Sequence, residues 1–382
     1  MTYLDNAATT AVCPAAAEKA AYMMTECFGN PSSLHTAGTA AAREVEAARR
    51  AVAGLLGAAA DRVIFTSGGT ESNALAILGA AAANSRGGRH AVTTALEHAS
   101  VAKAFDELER QGWQVTRLAP DAEGMITPEA VAAACRPDTA LVSVMTVNNE
   151  TGARFAVEEM VGPVKEIAPR ALFHTDAVQA AGKLPLKAQK WGVDLLSVSG
   201  HKLHAPKGVG ALYIKEGVRL LPRSPGGGQE QGLRSGTQAT PAIAGFGAAA
   251  AAVGDLTALA VRFEELYRRL EEGLATVPGV KLHRPACRVP YILNFSLPGL
   301  RSETLVHFLA ERQVYVSGGS ACARGKQSPV LKALGLPPEE IDSSLRISFC
   351  RDTGPEDVDR LLEALREAER SLTRTAAFRR KR

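Results

Sequence analysis

The chain has 382 residues, 46% of them hydrophobic and 22% charged, which argues against disorder and allows one large buried core and a smaller one, so two domains are expected. Its 44 basic and 40 acidic residues leave a net charge of +4, too even a balance to imply a nucleic-acid or membrane partner. The one basic run, Arg379-Arg380-Lys381-Arg382, reads as a solvated tail.

Six cysteines, Cys13, Cys27, Cys135, Cys287, Cys322 and Cys350, are scattered without a C-x-x-C pair. That argues against a zinc knuckle or a disulfide framework and for reduced thiols in the cytoplasm. The opening Met1-Thr2-Tyr3-Leu4-Asp5-Asn6 has no basic stretch followed by an apolar one, so no secretory signal is expected.

From about residue 15 to 255 helical and strand patterns alternate. Helices are expected over 15–24, 39–56, 72–83, 99–111 and 157–167. Short apolar runs at 62–66, 90–94, 114–118, 139–146, 171–175, 195–198 and 211–214 read as buried strands. The alternation predicts an α/β fold with a mostly parallel sheet covered by helices on both faces. A loop follows at 222–228 (PRSPGGG), punctuated by Pro and Gly. The alanine-rich run 241–254 is short of the ~20 residues of a membrane span and reads as a buried helix. A charged amphipathic helix over 258–276 then leads towards a second domain, with strands at 292–296, 313–316 and 344–348 and helices at 303–312 and 355–376.

Four stretches could carry chemistry. Thr66-Ser67-Gly68-Gly69-Thr70-Glu71-Ser72-Asn73 follows a strand and opens a helix, where small residues let backbone N–H groups approach a phosphate; an ordinary N-cap turn reads the same. It matches neither the P-loop nor the dinucleotide fingerprint. Asp176 ends a buried strand, where a carboxylate needs a partner such as a cationic ring nitrogen, a helix N-terminus or an ion pair. Ser197-Val198-Ser199-Gly200-His201-Lys202 ends another strand, and a lysine there can become a Schiff-base amine or remain a surface cation. His201 and His204 form an H-x-x-H pair without a carboxylate or cysteine at fitting spacing, so no metal is expected. Ser317 to Lys326 (SGGSACARGK) is glycine-rich and places Cys322 among small residues and two cations, which favour the thiolate.

Taken in order, these motifs resemble the NifS/IscS-like cysteine desulfurases of the class V aminotransferase superfamily. The resemblance runs through YLDNAATT (3–10), GNPSSLHTAG (29–38), FTSGGTESN (65–73), EHAS (97–100), VNNETG (147–152), TDAVQAAGKLP (175–185), SGHKLHAPKGVGALY (199–213), GGGQEQGLRSGT (226–237), SGGSACARG (317–325) and LRIS (345–348). It implies the PLP-dependent transferase fold type I, with pyridoxal 5'-phosphate (PLP) as cofactor. A large domain over 14–255 would contain a mostly parallel seven-stranded sheet. A smaller α+β domain of 1–13 and 256–382 would carry the catalytic cysteine loop. Carried over by motif, Lys202 binds PLP covalently, Asp176 holds the pyridinium nitrogen and Gln179 the ring hydroxyl. His98 stacks on the ring and relays protons, while Gly69, Thr70, Ser199 and His201 bind the phosphate, with Thr237 reaching in from the other subunit of a homodimer. Asn149 contacts cofactor and substrate, Arg346 clamps the substrate carboxylate, and Cys322 is the nucleophile. The implied reaction turns L-cysteine into L-alanine and passes sulfur through a Cys322 persulfide to an acceptor, an iron–sulfur scaffold or a tRNA-thiolation enzyme. Gly318, Ala205 and Cys350 depart from the family pattern. An aminotransferase on the same scaffold would not need Cys322.

Overall fold

The computed structural model describes residues 1–84, 87–318 and 327–372. A two-residue strand, β1 (Thr2–Tyr3), precedes β2 (Val63–Thr66), β3 (His90–Thr94), β4 (Gln114–Leu118), β5 (Thr139–Ser143), β6 (Leu172–Asp176), β7 (Leu195–Ser199) and β8 (Gly210–Ile214). The last seven form one sheet in the order β2-β8-β7-β6-β5-β3-β4. Every strand runs parallel except β8, which is antiparallel to both β2 and β7.

Successive strand residues face opposite sides of a sheet, and here both sides are dry. Phe65, Val92, Val142, Leu196 and Tyr213 enter one core, while their neighbours Ile64, Ala91, Leu141, Leu195 and Leu212 enter another. This is why the strands read as unbroken apolar runs rather than alternating ones. Each such Leu or Phe contributes about 1.5–3 kcal/mol by leaving water, so the sheet is a rigid platform for whatever its strand ends carry. Helices Pro14–Thr25 and Thr36–Leu56 pack with Thr240–Ala251 on one side. The latter is the alanine-rich run, buried as expected, and no single helix among the described residues is long and apolar enough to cross a membrane.

The edge strand β2 has outward-facing backbone groups that the sheet cannot satisfy. Arg49 and Glu230 do so: Arg49 Nη1 donates to Val63 O at 2.8 Å and the Phe65 N–H donates to Glu230 Oε2 at 2.7 Å. The two side chains also pair with each other in a fork, at 2.7 and 2.9 Å. Glu230 and Gln231 have φ of +48° and +59°, costly for residues with a Cβ. The buried pair holds this strained turn, which leads to Thr237, against the sheet.

Beyond helix Leu256–Ala275 the chain forms β9 (Lys281–His283), β10 (Ile292–Ser296), β11 (Val314–Tyr315), β12 (Ser317–Gly318) and β13 (Ser344–Ser348). A four-stranded antiparallel sheet takes the order β12-β13-β10-β9, and β1 pairs in parallel with β11. The expected strand 313–316 shortens to β11, and the chain then changes sheets into β12 just beyond it. The expected strand 139–146 loses regular register at Ser143, although Val144 N–H and Thr146 N–H still donate to His174 O and Asp176 O. Helix Pro355–Ser371 begins where expected, and residues from 373 lie outside the described part.

Candidate active site

The parallel strands deliver their residues to one edge, the carboxyl ends of β2, β3, β5, β6 and β7, where open α/β sheets bind ligands. After β2 the chain turns through Gly68, whose φ of +150° favours glycine, into a helix that begins at Gly69. A Cβ on Gly69 would lie 2.9 Å from Val178 Cγ2, so only glycine lets this turn close against the loop after β6. Ser199 stands across from both glycines at the end of β7.

Asp176 ends β6 and is only 5% exposed. Its Oδ2 accepts from Asn73 Nδ2 at 2.7 Å and its Oδ1 from the Val178 N–H at 2.9 Å. Among the described residues it has no ion-pair partner. Lys202 lies in the turn after β7, its Nζ donating to Ala7 O at 2.5 Å and Ala8 O at 2.7 Å. Gln179 Nε2 donates to the same Ala7 O at 2.9 Å, while its Oε1 is buried without a partner. The N-terminal segment is therefore a wall of the site. His98 caps helix Ala99–Arg110, its Nδ1 facing Ser100 Oγ at 2.8 Å. Burial, reinforced by Lys202, Lys207 and Lys183, lowers the His201 pKa to about 4. Glu97 moves the other way: burial, with Asp176 nearby, pushes its carboxyl up to about 8 despite hydrogen bonds from the Met145 N–H and Thr94 Oγ1.

Arg346 enters from β13 and is 9% exposed. Its Nη2 pairs with Asp5 Oδ1 at 2.7 Å, its Nη1 donates to Asn149 O at 2.9 Å, and its Nε–H is buried without a partner. Glu150 sits beside it, raised in pKa by burial while Ser328 and Arg346 oppose the shift.

A cavity of about 530 Å³ is lined by Gly69, Thr70, His98, Asn149, Asp176, Gln179, Ser199, His201, Lys202 and Arg346 together. Ten candidates spread over 278 positions thus face one space. Two do not join them. Thr237 is exposed and does not line the cavity of its own chain. Cys322 lies outside the described residues, but Ser317 and Gly318 before its segment and Ser328 and Pro329 after it all line the cavity.

A model of the class-V aminotransferase family matches residues 2–361. A cysteine desulfurase of Cereibacter sphaeroides is 45% identical to this chain, covering 95% of it and 94% of the relative. The chain belongs to the cysteine desulfurases of the class-V aminotransferase family. The solved structure of a NifS-like protein superposes on this desulfurase with a TM-score of 0.92 at 36% identity, covering 97% of this chain and 100% of the other. The structure of SspA in complex with cysteine does so with a TM-score of 0.81 at 34% identity, covering 91% and 99%. These enzymes are PLP-dependent, and PLP is the cofactor here.

The cavity fits that group chemically. Among the described residues Asp176 is a buried carboxylate without a cation, the deficit a pyridinium N–H would fill. Gln179 offers a buried amide with an unused oxygen and a second N–H, and the glycine turn at Gly68 and Gly69 leaves room opposite Ser199.

Asn73, Ser100 and Asp5 are members of this site that residue-by-residue reading did not single out. All three stand inside the matched motifs, which was the available signal. A second cavity, of about 340 Å³, adjoins Lys202 and is lined by the buried Lys183, His204 and Cys350 and by the half-buried Arg351. His204, Cys350 and Asp352 bring ligand-type atoms within 4.8 Å of one another, though His204 Nδ1 is engaged with Ala11 O and Lys183, Lys202, Arg262 and Arg351 line the same space. Cys350 therefore belongs to this second cavity rather than beside the substrate, and burial raises its pKa.

Proposed function

We propose that the enzyme converts L-cysteine and the Cys322 thiol into L-alanine and a Cys322 persulfide, which then passes sulfur to an acceptor protein. The observation that supports this most is the single cavity that gathers Lys202, Asp176, His98 and Arg346 between the two ends of the Cys322 segment.

Lys202 would hold PLP covalently through Nζ, with Asp176 on the ring nitrogen and Gln179 on the ring hydroxyl. Gly69, Thr70, Ser199 and His201 would bind its phosphate. When bound, PLP supplies an electron sink that lets the substrate α-proton leave. Arg346 would take the substrate carboxylate with the donors that Asp5 and Asn149 leave unused, the buried Nε–H among them. Asn149 would flank both substrate and ring. His98 would move a proton at Nε2, its Nδ1 being engaged on the protein side. The Cys322 thiolate would attack the substrate sulfur. A new S–S bond forms and the Cβ–S bond breaks, the electron pair staying on carbon, which is protonated and released as alanine.

A homodimer is proposed because Thr237, exposed on its own chain, would complete the phosphate site of the other subunit. Division into a 14–255 domain that holds PLP and a domain of 1–13 and 256–382 that brings Cys322 is supported by the separate seven- and four-stranded sheets. A cytoplasmic location suits a chemistry that needs a reduced thiol. The test is alanine production by the holoenzyme. Wild type should release alanine from L-cysteine, whereas Cys322→Ser should keep PLP and release none. A serine variant with near-normal turnover refutes the proposal.

A further inference from the structure

Ser100 stands between two groups assigned to the cofactor. The Asn73 amide uses both hydrogens of its NH₂: Nδ2 lies 2.7 Å from Asp176 Oδ2 and 2.8 Å from Ser100 Oγ. The orientation of that amide follows from Asp176. A carboxylate only accepts hydrogen bonds, so an inverted Asn73 would set one acceptor oxygen against another. Ser100 Oγ, accepting from Asn73, keeps its own hydrogen to give, and His98 Nδ1 lies 2.8 Å away. The Ser100 backbone N–H donates to the same nitrogen at 3.2 Å. A backbone N–H can only donate, so Nδ1 accepts and carries no proton, which turns the Ser100 hydroxyl hydrogen to it as well and leaves the hydrogen of the neutral imidazole on Nε2.

We infer that Ser100, oriented by Asn73 and Asp176, fixes His98 as the Nε2–H tautomer and so makes it a proton donor towards the active-site cavity. Asp176 orients the Asn73 amide, the amide fills one acceptor position of Ser100 Oγ, and the Ser100 N–H marks His98 Nδ1 as the acceptor for the hydroxyl hydrogen. An amide does not pass a proton at neutral pH, so the chain transmits orientation rather than protons. Asn73 and Ser100 are thus positioning residues, acting through His98. This rests on the proposed roles of Asp176 and His98.

The test is ¹⁵N NMR of histidine-labelled holoenzyme, which has eight histidines, with His98→Gln identifying the resonances of interest. Wild type should show a pyridine-type Nδ1 and a pyrrole-type Nε2 near neutral pH. In Ser100→Ala the Nδ1 resonance should move downfield towards that of an unbonded nitrogen. Alanine production should lose about five-fold in kcat, the equivalent of one net hydrogen bond, with the KM for L-cysteine unchanged. Ser100→Thr, which restores the hydroxyl, should reverse both changes. Asn73→Asp should reproduce the NMR shift with Ser100 intact, because an acceptor at position 73 draws the hydroxyl hydrogen away from the ring. A wild-type ring protonated on Nδ1, or an Nδ1 resonance and kcat indifferent to Ser100→Ala, overturns the inference. If the ring behaves as expected but wild type makes no alanine, the tautomer assignment stands and the desulfurase reading fails instead.

Discussion

Replacing Arg346 by alanine removes the ion pair to Asp5, the hydrogen bond to Asn149 O and the donors proposed for the substrate carboxylate. A hydrogen bond to a charged group contributes about 1.5–3 kcal/mol net, and a guanidinium offers a carboxylate two of them. Arg346 is nearly buried, so little solvent screens that contact. Allowing for desolvation, kcat/KM for L-cysteine should fall by about 2–4 kcal/mol, roughly 30- to 1000-fold. PLP content, read from visible absorbance, should stay near wild type because no cofactor contact is assigned to Arg346. The assay is alanine release at L-cysteine concentrations well below KM. Asp5→Asn is the control, since it breaks the ion pair but keeps the guanidinium. Loss of a partly exposed pair should cost no more than about five-fold. Unchanged kcat/KM in Arg346→Ala refutes the carboxylate assignment, and so does an Asp5→Asn loss as large as that of Arg346→Ala.

Lys202→Ala should leave the purified protein without the visible absorbance of bound PLP, the hydrogen bonds to Ala7 O and Ala8 O going with the side chain; a yellow variant contradicts the covalent role. Glu97 predicts a pH effect on stability. Burial raises its folded pKa from 4.5 to about 8, so the folded state holds the proton more tightly and stability is lost as pH rises through that window. Between pH 7 and 9 wild type should lose about 1.4 kcal/mol more than Glu97→Gln, whose amide does not titrate. Urea midpoints at the two pH values measure this, and parallel behaviour of the two proteins contradicts it.

The large sheet was legible because its strands are buried on both faces, so apolar runs such as 90–94 and 211–214 stand out without any need for alternation. Strands β9, β11 and β12, of two or three residues, are too short for any period to register, and helix Pro128–Ala133 spans less than two turns. At the site, Asp176, Ser199 and Lys202 could be found because each lies at or just past a strand end, where ligands bind. Asn73, Ser100 and Asp5 could not be singled out on that ground. Their roles depend on partners 103, 27 and 341 positions away, separations that only the folded chain closes. The same holds for His204 and Cys350, which meet across a second cavity although neither sequence neighbourhood refers to the other.

The mechanism turns on where the sulfur goes, and mass spectrometry of the holoenzyme after brief exposure to L-cysteine measures that directly. It predicts one added sulfur, removable by a thiol reductant, on the peptide containing Cys322, formed in step with the first equivalent of alanine. Cys13, Cys27, Cys135 and Cys350 are buried, and burial pushes the Cys135 thiol up to about 11, so these should stay unmodified. Cys287 is exposed but does not line the active-site cavity, and it should stay unmodified as well. Sulfur on any of these five, or alanine formed with no sulfur on Cys322, would contradict the mechanism.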